Sequence, residues 1–184
     1  MNAPTPPEAV HLAPSRQSFS GLAGVECPAW VHASAIALGE RGLLITGAPG
    51  SGKSRLARQM IDLATAQGLF AAMAGDDRVL LRTAGGRLLA SGHPAIDGRM
   101  ELRGLGIMPC SAIKAVRIAA VVALLPPDCG ILPRLPLQNA QMIEIPGSKI
   151  PEYGLEASTA LSLPVAQALI SLAATDYRDG ILKI

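Results

Sequence analysis

The chain has 184 residues, which is enough for one domain with a full hydrophobic core. Hydrophobic residues make up 49% of it and aromatic residues only 3%, so the core must be built from Leu, Ile, Val and Ala. The net charge is +2 with Lys and Arg scattered, which gives no basis for nucleic-acid binding. Three cysteines without metal-ligand spacing predict reduced thiols in a cytoplasmic protein.

The first 24 residues are predicted to be a flexible, proline-rich tail. They contain no continuous apolar stretch and therefore no signal peptide, and they carry four prolines, Pro4, Pro6, Pro7 and Pro14. Residues 25–184 show no internal repeat and no linker. They are predicted to form a single domain.

The first predicted element is an antiparallel hairpin. Residues 30–37 have an extended pattern, residues 38–42 form a turn, and residues 42–46 are short and apolar like a buried strand. A turn centred on Glu40 and Arg41 would bring His32 level with residues 48–50. The alternative is a partly buried strand histidine without a chemical role.

A complete phosphate-binding loop follows the second strand of this hairpin. The pattern G-x-x-x-x-G-K-[ST] places backbone N–H groups and a helix N-terminus around a polyphosphate, with a lysine as a point charge and a hydroxyl for Mg²⁺. Nucleotide binding is therefore predicted for the loop residues Gly47, Ala48, Pro49, Gly50, Ser51, Gly52, Lys53 and Ser54.

The residues after the loop have helical spacing, with apolar side chains at Leu56, Met60, Leu63 and Ala64. Gly68 is predicted to end this helix. Strand, loop and helix thus occur in the order that the motif requires.

Two adjacent carboxylates, Asp76 and Asp77, follow a second buried strand at residues 69–75. They are predicted to serve metal and base chemistry, although adjacent aspartates also occur in solvated turns and helix caps. A Walker B element is not found in the apolar run 115–125, because Pro126 and Pro127 precede the next aspartate.

The remaining elements predict a mixed sheet. A second hairpin turns at residues 83–86, a glycine-rich connection spans 97–106, and strands are predicted at 115–125 and near 142–145. The uncharged stretch 157–175 contains too many polar residues for a membrane span and is predicted to form an amphipathic helix after Ser162. That helix could close the core or dock a protein substrate.

These features together resemble the catalytic domain of HPr kinase/phosphorylase. The resemblance covers about residues 30 to 110 and includes His32, the phosphate loop, the Asp76-Asp77 pair and the segment Glu-x-Arg-Gly-Leu-Gly-Ile at 101–107. It implies an α/β P-loop kinase fold with a mixed β-sheet, of the phosphoenolpyruvate carboxykinase-like type. Only the C-terminal catalytic domain of the family is matched.

The resemblance also implies an ATP- and Mg²⁺-dependent serine kinase that acts on HPr, the phosphocarrier of the phosphotransferase system. Family members also remove the phosphate with inorganic phosphate, and they assemble as hexamers. By position, the loop at 47–54 would bind the nucleotide phosphates. Ser54, Asp77 and Glu101 would form the metal site.

The roles of the other site residues follow from the same resemblance. Asp76 would accept the proton of the attacking serine, and His32 and Lys53 would contact the transferred phosphate. The arginines that the family carries beyond the glycine-rich segment have no clean match here, and Arg134 is the nearest residue. Two alternatives therefore stay open: a nucleotide-responsive regulator without catalysis, and a P-loop kinase for a small molecule.

Overall fold

A computed structural model describes residues 8–93, 98–102, 106–127, 129–130, 132 and 140–174. In chain order its elements are β1 (Ala29–Val31), β2 (Ser34–Leu38), β3 (Arg41–Gly47), α1 (Lys53–Ala66), β4 (Ala71–Gly75), β5 (Val79–Ala84), β6 (Arg87–Gly92), β7 (Arg99–Leu102), β8 (Gly106–Pro109), β9 (Val116–Leu125), β10 (Gln141–Ile145), β11 (Ser148–Glu156), α2 (Ala157–Ala160) and α3 (Leu163–Ala174).

The described strands form one nine-stranded mixed sheet and a separate β7–β8 hairpin. In the large sheet β3 lies between β9, which is parallel to it, and β2, which is antiparallel. Strand β4 pairs with the other side of β2, and β11 runs parallel to β9. The predicted mixed sheet is therefore confirmed. The carboxyl ends of β3, β4, β9 and β11 point the same way, and β3 leads directly into the phosphate loop.

Alternation of side chains along the central strands builds a hydrophobic core on each face of the sheet. Leu43 and Ile45 of β3 pack with α1 and α3 on one face. Leu44, between them, packs on the other face with β5, β6 and the N-terminal segment, which is the described chain before β1 (residues 8–28). Helix α3 contributes Leu169 and Leu172 to the first core, so at least this face of the C-terminal helix closes the fold. No helix in the described part of the chain is long and apolar enough to cross a membrane.

The predicted strand at 30–37 is two strands rather than one. The chain bends at His32, so that β1 pairs with β5 while β2 pairs with β3. Leu38 pairs with Arg41, which centres the turn one residue earlier than predicted. Extending this register places His32 level with Gly47 rather than with residues 48–50.

Three strands were not predicted at all. The glycine-rich connection contains the β7–β8 hairpin, and β11 follows the short turn after β10. Strand β11 was missed because it contains Lys149, Pro151, Glu152 and Gly154, residue types that are uncommon in strands. Six of its nine residues are nevertheless buried. The N-terminal segment covers one side of the strand, where a Cβ on Gly154 would lie 2.8 Å from the Phe19 ring.

The N-terminal segment is packed well before residue 25, which corrects the predicted tail boundary. Val10 donates a backbone hydrogen bond to Trp30 O at 2.7 Å, and the Leu22 side chain is fully buried. Residues 18–20 hydrogen-bond to Glu152 of β11. Residues 1–7 lie outside the described part of the chain.

Candidate active site

The phosphate loop joins β3 to α1 with a backbone that only glycine tolerates at its first position. Gly47 has φ 146°, and a Cβ there would lie 2.7 Å from both the Leu124 carbonyl oxygen and Ser51 Oγ. Helix α1 begins at Lys53 and presents its N-terminus to the loop. Its unpaired N–H groups favour an anion at this point.

Lys53 is held inside the loop, with only 6% of its surface exposed. Its Nζ donates to the carbonyl oxygens of Gly47 at 2.9 Å and Ala48 at 3.1 Å. Burial lowers the pKa of this ammonium, and the nearby carboxylates of Asp77 and Asp76 partly oppose that shift. A cation in such a place costs free energy unless anions offset it.

Two hydroxyls near the loop are buried without a hydrogen-bond partner among the described residues: Thr46 Oγ1 and Ser51 Oγ. Buried hydroxyls are normally paired, so an unpaired donor indicates a partner from outside the chain. Ser51 belongs to the loop itself. Its hydroxyl fits a phosphate oxygen.

Asp76, at the end of β4, receives hydrogen bonds from two hydroxyls on the same oxygen. Ser34 Oγ donates to Asp76 Oδ1 at 2.5 Å, and Ser54 Oγ donates to it at 2.9 Å. Antiparallel pairing of β2 with β4, with Ala35 opposite Gly75, places Ser34 beside the carboxylate. Ser34 is fully buried and was missed by the sequence analysis. The sequence did contain one indication of its role, because Ser34 is a polar residue in a buried strand two positions after His32.

Asp77 lies against His32, with His32 Nδ1 and Asp77 Oδ1 2.9 Å apart. Asp77 has φ 63°, which makes it the only residue other than glycine with a positive φ in the described part of the chain. Such a conformation costs about 1–2 kcal/mol and is concentrated at functional sites. It turns the two adjacent carboxylates in different directions, Asp76 toward Ser54 and Asp77 toward His32.

The predicted metal ligands are brought together only in part. Ser54 and Asp77 both lie at the mouth of the loop, although Ser54 contacts Asp76 directly rather than Asp77. Glu101 lies in β7 opposite Ile107, but its side chain is outside the described part. The described residues contain no cluster of three or more His, Cys, Asp or Glu side chains. The hydroxyl and carboxylate oxygens present are nevertheless the hard donors that Mg²⁺ prefers.

The arginines that the family carries beyond the glycine-rich segment have no clean match in this sequence. The nearest residue, Arg134, lies outside the described residues. The described site therefore consists of the loop, Lys53, Ser34 and the two aspartates with His32.

A glycine-rich loop between a strand and a helix, with carboxylates at the end of another strand of the same sheet, defines a P-loop kinase site. Residues 27–178 match the family model described as the HPr Serine kinase C-terminal domain. Since this match covers most of the chain, the protein belongs to that family. The predicted family and fold class are therefore confirmed.

Similarity to individual proteins points the same way. The chain is 36% identical over 76 residues to the HPr kinase/phosphorylase of Mycoplasma mycoides subsp. mycoides SC, a match covering 41% of this chain and 22% of that protein. This chain therefore matches about a fifth of that relative's length. The structure of the Hpr(Ser) kinase/phosphatase from Coxiella burnetii matches with a TM-score of 0.62 at 21% identity, covering 79% of this chain and 93% of that one. At this identity the structural match supports the fold alone.

Proposed function

We propose that this protein is an ATP- and Mg²⁺-dependent serine kinase whose acceptor is the phosphocarrier protein HPr. The observation that carries the proposal is the position of the Asp76 carboxylate. It is hydrogen-bonded to Ser54 of the phosphate loop at 2.9 Å, next to the buried ammonium of Lys53. This is where a proton acceptor for phosphoryl transfer is needed.

In the proposed reaction the acceptor serine Oγ forms a bond to the γ-phosphorus as the bond from that phosphorus to the β,γ-bridging oxygen breaks, and ADP leaves. Asp76 takes the proton from the serine hydroxyl and returns it in the reverse direction. Lys53 and the backbone N–H groups of residues 47–54 bind the phosphates. His32 contacts the transferred group from the side of Asp77, with which it is paired at 2.9 Å.

Ser54, Asp77 and Glu101 are the residues that we propose to hold Mg²⁺, which neutralises charge on the phosphates when bound. Asp77 is the central residue of a tight turn in which Arg78 N donates to Asp76 O at 2.7 Å, and Ser54 Oγ donates to the adjacent Asp76 carboxylate at 2.9 Å.

The test is the intact mass of purified HPr after incubation with this protein, ATP and Mg²⁺. A gain of about 80 Da, the mass of one phosphoryl group, is expected on a serine. The control is Lys53→Ala, which should give no gain. Adding inorganic phosphate afterwards tests dephosphorylation separately, because the family's arginines beyond the glycine-rich segment have no clean match in this chain.

The two alternatives give different results in the same experiment. A nucleotide-responsive regulator would bind ATP and leave the mass of HPr unchanged. A small-molecule kinase would consume ATP in a metabolite extract but not with HPr alone. The retained Asp76 favours catalysis over the regulator, since a regulator that binds ATP needs the phosphate-binding Lys53 but no proton acceptor.

We further propose a cytoplasmic homo-oligomer, hexameric by resemblance to the family. None of the three cysteines forms a disulfide, which suits a reducing compartment. Strand β8 exposes two large apolar side chains, Ile107 at 68% and Met108 at 39%. Sedimentation analysis of the protein and of Ile107→Ser would test whether this hairpin contributes to assembly.

A further inference from the structure

A cavity of about 490 Å³ opens beside Asp76, within the range of about 300–1,000 Å³ that is usual for ligand sites. One wall is the outer face of the β1–β5–β6 part of the sheet, where Trp30, Leu80 and Ser91 lie in one cross-strand row. Their neighbours Val31, Leu81 and Ala90 point the other way, into the core. The opposite wall is the end of β4 and the residues that run beside it.

Asp76 belongs to both the cavity and the phosphate site. It lines the cavity and also accepts the hydrogen bond of Ser54. Of the described residues that line the cavity, none comes from the phosphate loop. In this motif the lysine and the serine mark the β/γ-phosphate end of the nucleotide. The cavity thus lies at the end of the site where the acceptor hydroxyl must approach.

The chemistry of the cavity is apolar inside and basic at its mouth. Trp30 and Leu80 supply flat and aliphatic surface, and the exposed side chains of Arg82 and Lys114 add two positive charges. Asp76 is the only acidic residue among the described residues that line it. An apolar group with an anion next to it would therefore fit best.

We propose that this cavity binds the segment of the acceptor protein that flanks its reacting serine. An apolar side chain of that segment packs on Trp30 and Leu80, and an acidic side chain lies at Arg82 and Lys114. The serine hydroxyl then reaches Asp76 at the inner end of the cavity. This assignment rests on the proposed kinase function and identifies residues that select its substrate.

The first experiment measures steady-state kinetics with HPr for the double variant Arg82→Glu/Lys114→Glu. We expect the KM for HPr to rise at least about tenfold, with the KM for ATP within about twofold of wild type. Both side chains are exposed, so the variant should fold. The matched control is Arg87→Glu, compared with the single variant Arg82→Glu: each replaces one exposed arginine of the same hairpin by glutamate, but Arg87 does not line the cavity.

A second readout does not depend on phosphoryl transfer. Trp30 is the only tryptophan of the chain, so its emission reports on the cavity directly. Adding a tryptophan-free HPr to the Lys53→Ala protein should change this emission. The change should disappear when Arg82→Glu/Lys114→Glu is added to that background and remain when Arg87→Glu is added.

The outcomes separate this inference from the proposed function. Transfer to HPr with an unchanged KM in the double variant and a silent Trp30 would overturn the inference alone. A rise in the KM for ATP instead would also overturn it, because the cavity would then serve the nucleotide. If the wild-type protein transfers no phosphate to HPr, the proposed function fails and this assignment fails with it.

Discussion

Two charged side chains are buried in the described part of the chain, and their surroundings differ. Glu152, in β11, has none of its surface exposed, and Lys53, in the phosphate loop, has 6%. Glu152 is surrounded by donors from the protein itself. Lys53 lies beside a loop hydroxyl, that of Ser51, which has no hydrogen-bond partner among the described residues.

The carboxylate of Glu152 is satisfied within the fold. It accepts hydrogen bonds from the backbone N–H groups of Phe19 at 2.6 Å and Ser20 at 2.7 Å, and from Gln141 Nε2 at 2.9 Å. The Ser20 hydroxyl also donates to it. A buried charge with this many donors ties the N-terminal segment to β10 and β11. It leaves nothing for a ligand to bind.

Lys53 has a different environment. It donates to two loop carbonyls, but the neighbouring Ser51 hydroxyl has no partner among the described residues and Asp77 has a strained backbone. Unpaired donors and strain reduce stability unless a bound anion compensates. The comparison therefore distinguishes a buried charge that stabilises the fold from one that serves a bound anion.

The largest expected effect on activity is at Asp76. Replacing it with Ala should lower the rate of phosphoryl transfer by about 10²–10⁴-fold, because the proton acceptor is lost. ATP binding should be retained, since the loop and Lys53 are unchanged. Single-turnover transfer to HPr and calorimetric titration with ATP measure the two quantities. The Asp76→Asn variant, which keeps a similar shape, should be equally slow. Normal turnover in Asp76→Ala would exclude Asp76 as the base.

Glu152 should show the reverse pattern, with a large effect on stability and none on chemistry. Glu152→Gln replaces an acceptor with an amide whose NH₂ faces other donors, which should cost about 2–3 kcal/mol of unfolding free energy. For a domain of this size that lowers the Tm by about 4–12 °C. Transfer by the folded fraction at low temperature should equal wild type.

The control for that prediction is Glu144→Gln. Glu144 is exposed, and its carboxylate lies 3.5 Å from Lys149 in a surface pair, so the change should be below about 0.5 kcal/mol. Thermal unfolding followed by circular dichroism compares the two variants. An equal Tm for both would show that the buried network does not stabilise the fold.

The sequence predicts the phosphate site better than the buried network for a physical reason. The loop and the Gly85-Gly86 hairpin turn are local, since their glycines have φ values that the local backbone requires. Asp76 and Asp77 follow directly from their strand. All of these features lie in short stretches of chain, which is the range over which residue patterns are informative.

The missed features depend on contacts between distant parts of the chain. A glutamate in a strand predicts a solvent-facing position, yet Glu152 is buried because residues 18–20 cover it. Ser34 and Asp76 come together only when β2 pairs with β4. The cavity likewise combines β1, β4, β5 and β6. No local pattern contains this information.

A smaller effect is expected at Ser34, which is buried like Glu152 but contacts the candidate active site. Its side chain is fully buried, and its hydroxyl donates to the proposed base, at 2.5 Å from Asp76 Oδ1. Ser34→Ala removes one hydrogen bond to a charged group, and we expect about a tenfold fall in kcat with little change in the KM for ATP. Ser34→Thr, which keeps the hydroxyl, should restore most of the rate. Equal kcat values for wild type and Ser34→Ala would show that the hydrogen bond does not position Asp76.

The smallest effect is a pH dependence that separates the two functions of Lys53. Burial lowers its pKa from 10.5, so the charge that binds phosphate is lost at a lower pH than for an ordinary lysine. The kcat/KM for ATP should therefore begin to fall at a pH below 10.5. It should decrease by about tenfold for each pH unit above the lowered pKa of Lys53. In that same window the unfolded chain binds the proton more tightly than the folded one, so the stability contribution of Lys53 rises with pH. Lys53→Arg, whose guanidinium does not titrate there, should remove both trends. An alkaline limb that persists in Lys53→Arg would assign the titration to another group. Loss of the limb would assign it to Lys53, and thermal unfolding over the same pH range measures the accompanying rise in stability.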